Sequence, residues 1–328
     1  VLECTENIAV TDDEVLEKAY PGRDWKKNLF THANDDYAHT TFNDRAIPEI
    51  EKRKEKGDFI IAFWGWSQQP ITNAHPDLIA VEPAVGTHNI PFAKHAVFAS
   101  YAVMHYIYGK HSIEPRWYDA VIPHYFDTND FEFNETPRDY FLHMGRLIPS
   151  KGVDIAIQMT KRLGVKLVVV GQGNLSDICN PVPEHVITVP AVEPKTRTQF
   201  MKHAKALIVP SYYVEPFGMV VVEALMCGTP VITSDWGAFA ETNLHGITGY
   251  RCRSIEQFVW AGKNIDKISR QSCRDWAVKN YSLERVAPMY QEYFESLSTV
   301  FNGKGGFYCE NNERSELDWL TRYYPSSS

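Results

Sequence analysis

Ser211-Tyr-Tyr-Val-Glu215-Pro-Phe-Gly218-Met-Val-Val-Val-Glu223-Ala-Leu-Met-Cys-Gly228-Thr-Pro230 is the stretch on which the reading of this chain turns. It follows the apolar run Ala206–Val209, a buried strand by composition, and opens a helix near Gly218. Working outward, Lys166–Val170 is a β-branched run closed by Gly171, and Val186–Val189 and Val231–Thr233 repeat the pattern. Tyr140–His143 is a shorter run ahead of them. Helical periods separate most of these strands, at Val153–Leu163, Thr196–Lys205 and Gly218–Met226. Strands alternating with helices predict an α/β class with a parallel sheet covered on both faces.

A second, smaller α/β unit is expected ahead of it. Leu29–His32, Phe59–Phe63, Leu78–Glu82, Ala96–Ala99 and Ala120–Pro123 read as strands, with a helix around Arg45–Lys56. The polar stretch Asp127–Pro137 has neither period, so the chain divides into an N-terminal unit, 1–133, and a C-terminal unit, 134–283. From Ser282 onward Val286, Met289, Tyr290, Tyr293, Phe294 and Leu297 form a helical stripe broken by Gly303–Gly306. Residues 284–328 are expected to pack back on the N-terminal unit. No repeat of 20–50 residues is visible.

Composition bounds the partners. With 328 residues, 44% hydrophobic and 23% charged, the chain suits two globular units. Its net charge of −8 argues against nucleic acid, so any phosphate site is local. No apolar run approaches the ~20 residues of a membrane span, and the first residues lack signal-peptide order. A cytoplasmic location is therefore expected. The helix segment Glu49–Lys56 mixes both charge signs, so membrane contact is at most peripheral. The six cysteines show no C-x-x-C pair and read as reduced thiols, with Cys227 on a buried helix face.

The chemistry starts at Gly218, where a backbone without a side chain meets unpaired helical N–H groups, a terminus that favours an anion. Glu215 precedes that turn, and Glu223 lies about five residues into the helix, roughly 7 Å along its axis. Two carboxylates flanking an anion site suit two polyhydroxylated groups joined by a diphosphate. Gly145-Arg146-Leu-Ile-Pro-Ser-Lys151-Gly152 follows the first strand of the same unit. There Arg146 offers a forked contact to phosphate and Lys151 a point charge, at a strand's carboxyl end where open sheets bind ligands. Gly171-Gln-Gly173 begins like a dinucleotide fingerprint, but Ser176 replaces its third glycine and no acidic residue ends the next strand. It reads as a tight turn near phosphate or base.

These pieces in this order resemble the retaining GT-B fold glycosyltransferases, specifically glycosyltransferase family 4. The matching motifs are Gly145-Arg146-Leu147…Lys151-Gly152, Gly171-Gln-Gly173 and the E-x7-E pair Glu215/Glu223. Glu241…Thr248-Gly249 and Val121-Ile-Pro-His-Tyr-Phe-Asp127…Phe131 also match, so the likeness covers roughly Ala120–Phe301. The resemblance implies two Rossmann-like domains facing across a cleft, with the last helix returning to the first. It places a nucleotide-diphospho-sugar against Gly145, Arg146, Lys151, Gly171, Val189, Glu215, Phe217, Gly218, Met219 and Glu223. Arg146 and Lys151 would hold the diphosphate, Glu223 the ribose and Glu215 the transferred sugar. No cofactor is implied.

The N-terminal unit departs from the pattern. Leu29–Tyr37 lacks the glycine-rich turn, and in Ala80-Val81-Glu82-Pro83 a valine stands where many members carry a histidine. His88 in the next loop, or Glu82, is the candidate replacement. Trp64 and Trp66 are candidate aromatic faces for an acceptor. The reading is retaining transfer of mannose from GDP-mannose, or glucose from UDP-glucose, to a glycan, lipid or protein hydroxyl. A nucleotide-sugar epimerase and a non-catalytic sugar-nucleotide scaffold are the alternatives. No D-x-D pair ends a strand, and Asp127-Thr-Asn-Asp130 has the wrong spacing, so no metal is expected.

Overall fold

The computed structural model describes residues 13–22 and 33–301. The strand expected at Leu29–His32 and the break at Gly303–Gly306 lie outside the described residues. The first unit runs α1 (Asp13–Ala19), α2 (Tyr37–Arg53), β1 (Phe59–Ile61), α3 (Gln69–Ala74), β2 (Ile79–Val85), β3 (His95–Phe98), α4 (Tyr101–His111) and β4 (Ala120–Val121). Its four strands pair in parallel in the order β1-β2-β3-β4. Every residue of β3 is buried. The reason is a shared core: Val81, Val97 and Phe98 pack with Val103 and Ile107 of α4.

The second unit continues β5 (Phe141–Met144), α5 (Val153–Leu163), β6 (Leu167–Gly171), β7 (Val186–Pro190), α6 (Pro194–His203) and β8 (Ala206–Val209). It closes with α7 (Met219–Met226), β9 (Val231–Ser234), α8 (Phe239–Thr242), β10 (Gly249–Cys252), α9 (Ile255–Asn264) and α10 (Arg270–Tyr281). All six strands are parallel, in the order β10-β9-β8-β5-β6-β7. The chain therefore steps outward from β5 to β7, returns to β8 and steps out the other way. This doubly wound order opens a crevice at the carboxyl ends of β5 and β8, where the direction reverses. Strands β5, β8 and β9 are buried at every residue, as continuous apolar runs covered on both faces must be.

The final helix α11 (Leu283–Phe301) belongs to the first core rather than the second. Val286, Met289, Tyr293 and Leu297, spaced three and four apart, bury one stripe against Val81, Val97 and Phe98. Tyr293 adds a hydrogen bond from its hydroxyl to the Tyr118 carbonyl, 2.9 Å. The chain thus crosses between the units twice, once before β5 and once before α11. In both crossings backbone bonds tie the strands of chain together: Phe126 N to Tyr281 O at 2.9 Å, and Leu283 N to Phe126 O at 3.0 Å.

Glycines set how closely the strand ends approach. A Cβ at Gly171 would lie 1.7 Å from the Gly145 carbonyl oxygen, so only glycine lets the ends of β5 and β6 meet. Glu82 plays a comparable part in the first unit. Its buried carboxylate accepts from Phe92 N at 2.8 Å and Ala93 N at 3.4 Å, stapling the loop after β2. Burial raises its pKa above the ordinary 4.5, against the lowering effect of those two N–H groups.

Gly171→Ala forces the backbones apart and costs about 1–3 kcal/mol, the usual penalty of overpacking. Urea unfolding should show a lower midpoint at unchanged slope; an unchanged midpoint contradicts the close approach. Glu82→Gln keeps an oxygen for both N–H groups but removes a buried charge. Because the folded pKa is raised, the wild-type contribution is complete below about pH 4.5 and is lost as pH rises through the folded value. The variant should therefore unfold at higher urea than wild type at pH 7, with the gap closing in acid. A less stable variant at pH 7 would show that the charge itself holds the loop.

Candidate active site

The crevice between β5 and β8 is built by lacing two strand-end loops together. After β5 the chain passes Gly145 and Arg146 into a short 3-10 turn, Pro149–Lys151, that ends on Gly152. Gly152 has φ +69°, and a Cβ there would lie 2.1 Å from the Pro210 carbonyl oxygen. No other residue type fits both demands. Tyr212 N then donates to Ser150 O at 2.8 Å. This lacing brings Lys151 to the far loop, where its Nζ lies 2.6 Å from the Tyr213 hydroxyl and 2.9 Å from Glu215 Oε2.

Glu215 is fixed from several directions. Ser211 Oγ donates to the same Oε2 at 3.2 Å, and Ala238 N donates to its carbonyl at 2.9 Å. Gly237 passes so near that a Cβ would meet Glu215 N at 2.6 Å. The first unit grips the same loop. Ser100 Oγ donates to Pro216 O at 2.6 Å, and the His88 ring bonds Val214 O through Nε2 at 2.8 Å. Glu241 accepts from the Tyr101 and Ala102 amides, 3.1 and 2.8 Å, so a carboxylate of the second unit caps α4 of the first.

Beyond the loop, Gly218 has φ +79° and starts α7; Val221 N turns back to the Gly218 carbonyl at 2.8 Å, and no side chain caps this end of the helix. A Cβ at Gly218 would stand 2.7 Å from the Phe239 ring. Glu223, buried on α7, is 2.8 Å from Arg197 Nη2 of α6. Burial pushes its carboxyl up while Arg197 pulls it down.

Part of this lacework lines a cavity of about 660 Å³. Gly145, Arg146, Lys151, Glu215, Phe217, Gly218, Met219, Glu223 and His88, all singled out from the sequence, are on its wall. Gly171, Val189 and Glu82 are not. Gly171 is the close-packing residue described above, and Val189 packs against the second core. Glu82 is committed to the Phe92 and Ala93 amides. Trp66 is exposed away from the cavity wall, with Nε1 donating to Ile90 O at 2.8 Å. The wall also holds Arg197, Tyr213 and His124, which sequence reasoning did not select. Nothing in the spacing of Lys195-Thr-Arg197 separates that arginine from a solvated cation, whereas Tyr213 was within reach as a neighbour of Glu215.

Residues 126–272 match the family model of glycosyl transferases group 1. An uncharacterized glycosyltransferase of Methanocaldococcus jannaschii is 31% identical over 167 residues, 46% of this chain and 40% of that protein. The chain spans about half or less of the length of the curated relatives it matches. AviGT4, a glycosyltransferase involved in avilamycin A biosynthesis, has a similar structure with TM-score 0.66 at 17% identity, covering 78% of each chain. Anabaena HepE in complex with UDP and glucose aligns with TM-score 0.63 at 17% identity over 79% of this chain and 81% of that one. Among the described residues no helix is long and apolar enough to cross a membrane. The chain has the GT-B fold, and the part of it that matches glycosyl transferases group 1 is residues 126–272.

Proposed function

We propose that the chain is a retaining glycosyltransferase of family 4 that moves a sugar from a nucleotide-diphospho-sugar to a hydroxyl acceptor. The observation that carries this is the single cavity in which Arg146, Lys151, the amino end of α7, Glu215 and Glu223 converge. Arg146 and Lys151 bind the diphosphate together with the N–H groups around Phe217–Met219. Glu223 accepts from the ribose hydroxyls and Glu215 orients the transferred sugar. Of the two donors expected from the sequence, GDP-mannose and UDP-glucose, the UDP-sugar has the more direct support, since HepE is complexed with UDP and glucose.

In the free cleft each carboxylate is paired with a cation: Lys151 with Glu215, Arg197 with Glu223. The wall therefore carries three cationic and two anionic side chains. A diphosphate gives Lys151 a second anionic partner, and the freed lone pairs of Glu215 turn to sugar hydroxyls. In the reaction the bond between the anomeric carbon and the diphosphate oxygen breaks as the acceptor oxygen attacks the same face. The acceptor proton passes to the departing phosphate. The protein lowers the barrier by stabilising charge on that leaving group and by orienting both substrates. We propose that these cations and the α7 terminus balance the diphosphate without a divalent metal.

The test is turnover of UDP-glucose and GDP-mannose, counting slow hydrolysis to water, in buffer containing a chelator. Turnover should persist in wild type. Arg146→Ala should weaken nucleoside-diphosphate binding by roughly tenfold to hundredfold, the loss of one charge-assisted contact of about 1.5–3 kcal/mol. Activity abolished by the chelator and restored by magnesium removes the metal-free proposal. Unchanged affinity in folded Arg146→Ala removes the diphosphate placement.

A further inference from the structure

The segment leaving β4 holds a histidine that the donor scheme above does not use. Val121, Ile122 and Pro123 lead out of the strand to His124, and the backbone is fixed on both sides of it. Ile122 N donates to Phe98 O at 3.1 Å, and Phe126 N to Tyr281 O at 2.9 Å. The His124 ring stands edge-on against Phe217, centroids 4.8 Å apart at 82°. Phe217 is itself buried and immediately precedes Gly218, so the imidazole lies beside the amino end of α7. It is also on the wall of the cavity that holds Arg146, Lys151 and Glu215.

Its hydrogen bonding differs from that of its neighbours. His143 bonds the Ile208 carbonyl at 3.1 Å, and His88, the candidate expected to face the donor, spends Nε2 on Val214 O. Among the described residues no protein group hydrogen-bonds either ring nitrogen of His124, yet neither nitrogen is sealed from the cavity. Both nitrogens are therefore left free to bond what enters the cavity, water in the empty cleft or a ligand that displaces it. Burial also holds the ring neutral, its pKa pulled down to about 4. At pH 7 the imidazole thus carries one N–H donor and one acceptor.

We propose that His124 is a donor-site residue whose ring N–H donates a hydrogen bond to a diphosphate oxygen of the nucleotide sugar at the amino end of α7. The inference rests on the donor reading above. Arg146 and Lys151 supply charge from the β5 side; His124 supplies a directed, uncharged donor from the first unit. The diphosphate therefore touches both units. As the bond to the anomeric carbon breaks, this N–H is already aimed at the oxygen atoms on which negative charge accumulates.

The test uses the whole chain with UDP and GDP as probes. In wild type, the His124 imidazole signal, assigned in histidine-labelled protein by its loss in His124→Phe, should shift when UDP or GDP is added. His124→Phe keeps a ring against Phe217 but removes both nitrogens, and should weaken nucleoside-diphosphate binding by roughly tenfold. Either His124→Asn or His124→Gln, each placing an amide near one ring nitrogen, should recover part of that loss. Wild type that binds UDP with no movement of the His124 signal, together with undiminished affinity in His124→Phe, overturns the proposal and leaves the donor reading intact. Absence of binding of either nucleotide to wild type rejects the donor reading, and this inference with it.

Discussion

The fixed path of the backbone from Ser211 to Met219 is the constraint on which the cleft depends. That loop is held below by the close approach of Gly152 to Pro210 and of Gly237 to Glu215, where any Cβ would overlap backbone atoms. It is held above by Ser100 and His88 of the first unit, which bond the Pro216 and Val214 carbonyls. A loop rigid from both sides can present a buried carboxylate and a helix terminus at fixed separation. Were it free, Glu215 and the α7 N–H groups would have to be ordered at the moment of binding, at the cost of conformational entropy.

The same rigidity explains the electrostatics. Glu215 and Glu223 are both buried, and each is tolerable because a cation stands within hydrogen-bond distance. These pairs keep the free cleft close to neutral while leaving the charges in place for exchange. In the donor-bound state proposed above, a diphosphate arriving at the α7 terminus would meet cations already oriented by the carboxylates. In that proposal the two carboxylates would then turn from their cations, Lys151 and Arg197, to hydroxyl groups.

Much of the second sheet was legible in the sequence because strands buried on both faces become uninterrupted β-branched runs. Leu167–Gly171 and Ala206–Val209 are the plainest cases. The first sheet was harder, since β1 has three residues and β4 two, too few to show a period. Helix α4 escaped notice because Tyr101–His111 is apolar around much of its circumference, with Val103 and Ile107 buried in the core and Tyr106 packed on His88. Strand β10 escaped because Gly249-Tyr-Arg-Cys252 is short and contains an arginine. Arg146, Lys151, Glu215 and Glu223 could be singled out because each sits in a compact motif next to a strand end. Arg197 joins them only through tertiary convergence from α6, whereas Tyr213 and His124 lie inside quoted motifs, in the loops after β8 and β4, that do not mark them as cavity residues. Glu82, a candidate because it follows the valine at the family's histidine position, has its carboxylate on the Phe92 and Ala93 amides, a contact that the sequence pattern does not reveal.

The division of labour between the two glutamates is the central claim, and one comparison tests it most directly. Calorimetric titration of Glu215→Gln and Glu223→Gln with a nucleoside diphosphate, and then with the sugar-bearing donor, separates ribose from sugar contacts. The account predicts that Glu223→Gln weakens both ligands alike. It predicts that Glu215→Gln leaves the sugar-free diphosphate nearly unaffected and chiefly lowers donor turnover. Equal losses of both variants toward the sugar-free nucleotide would contradict it.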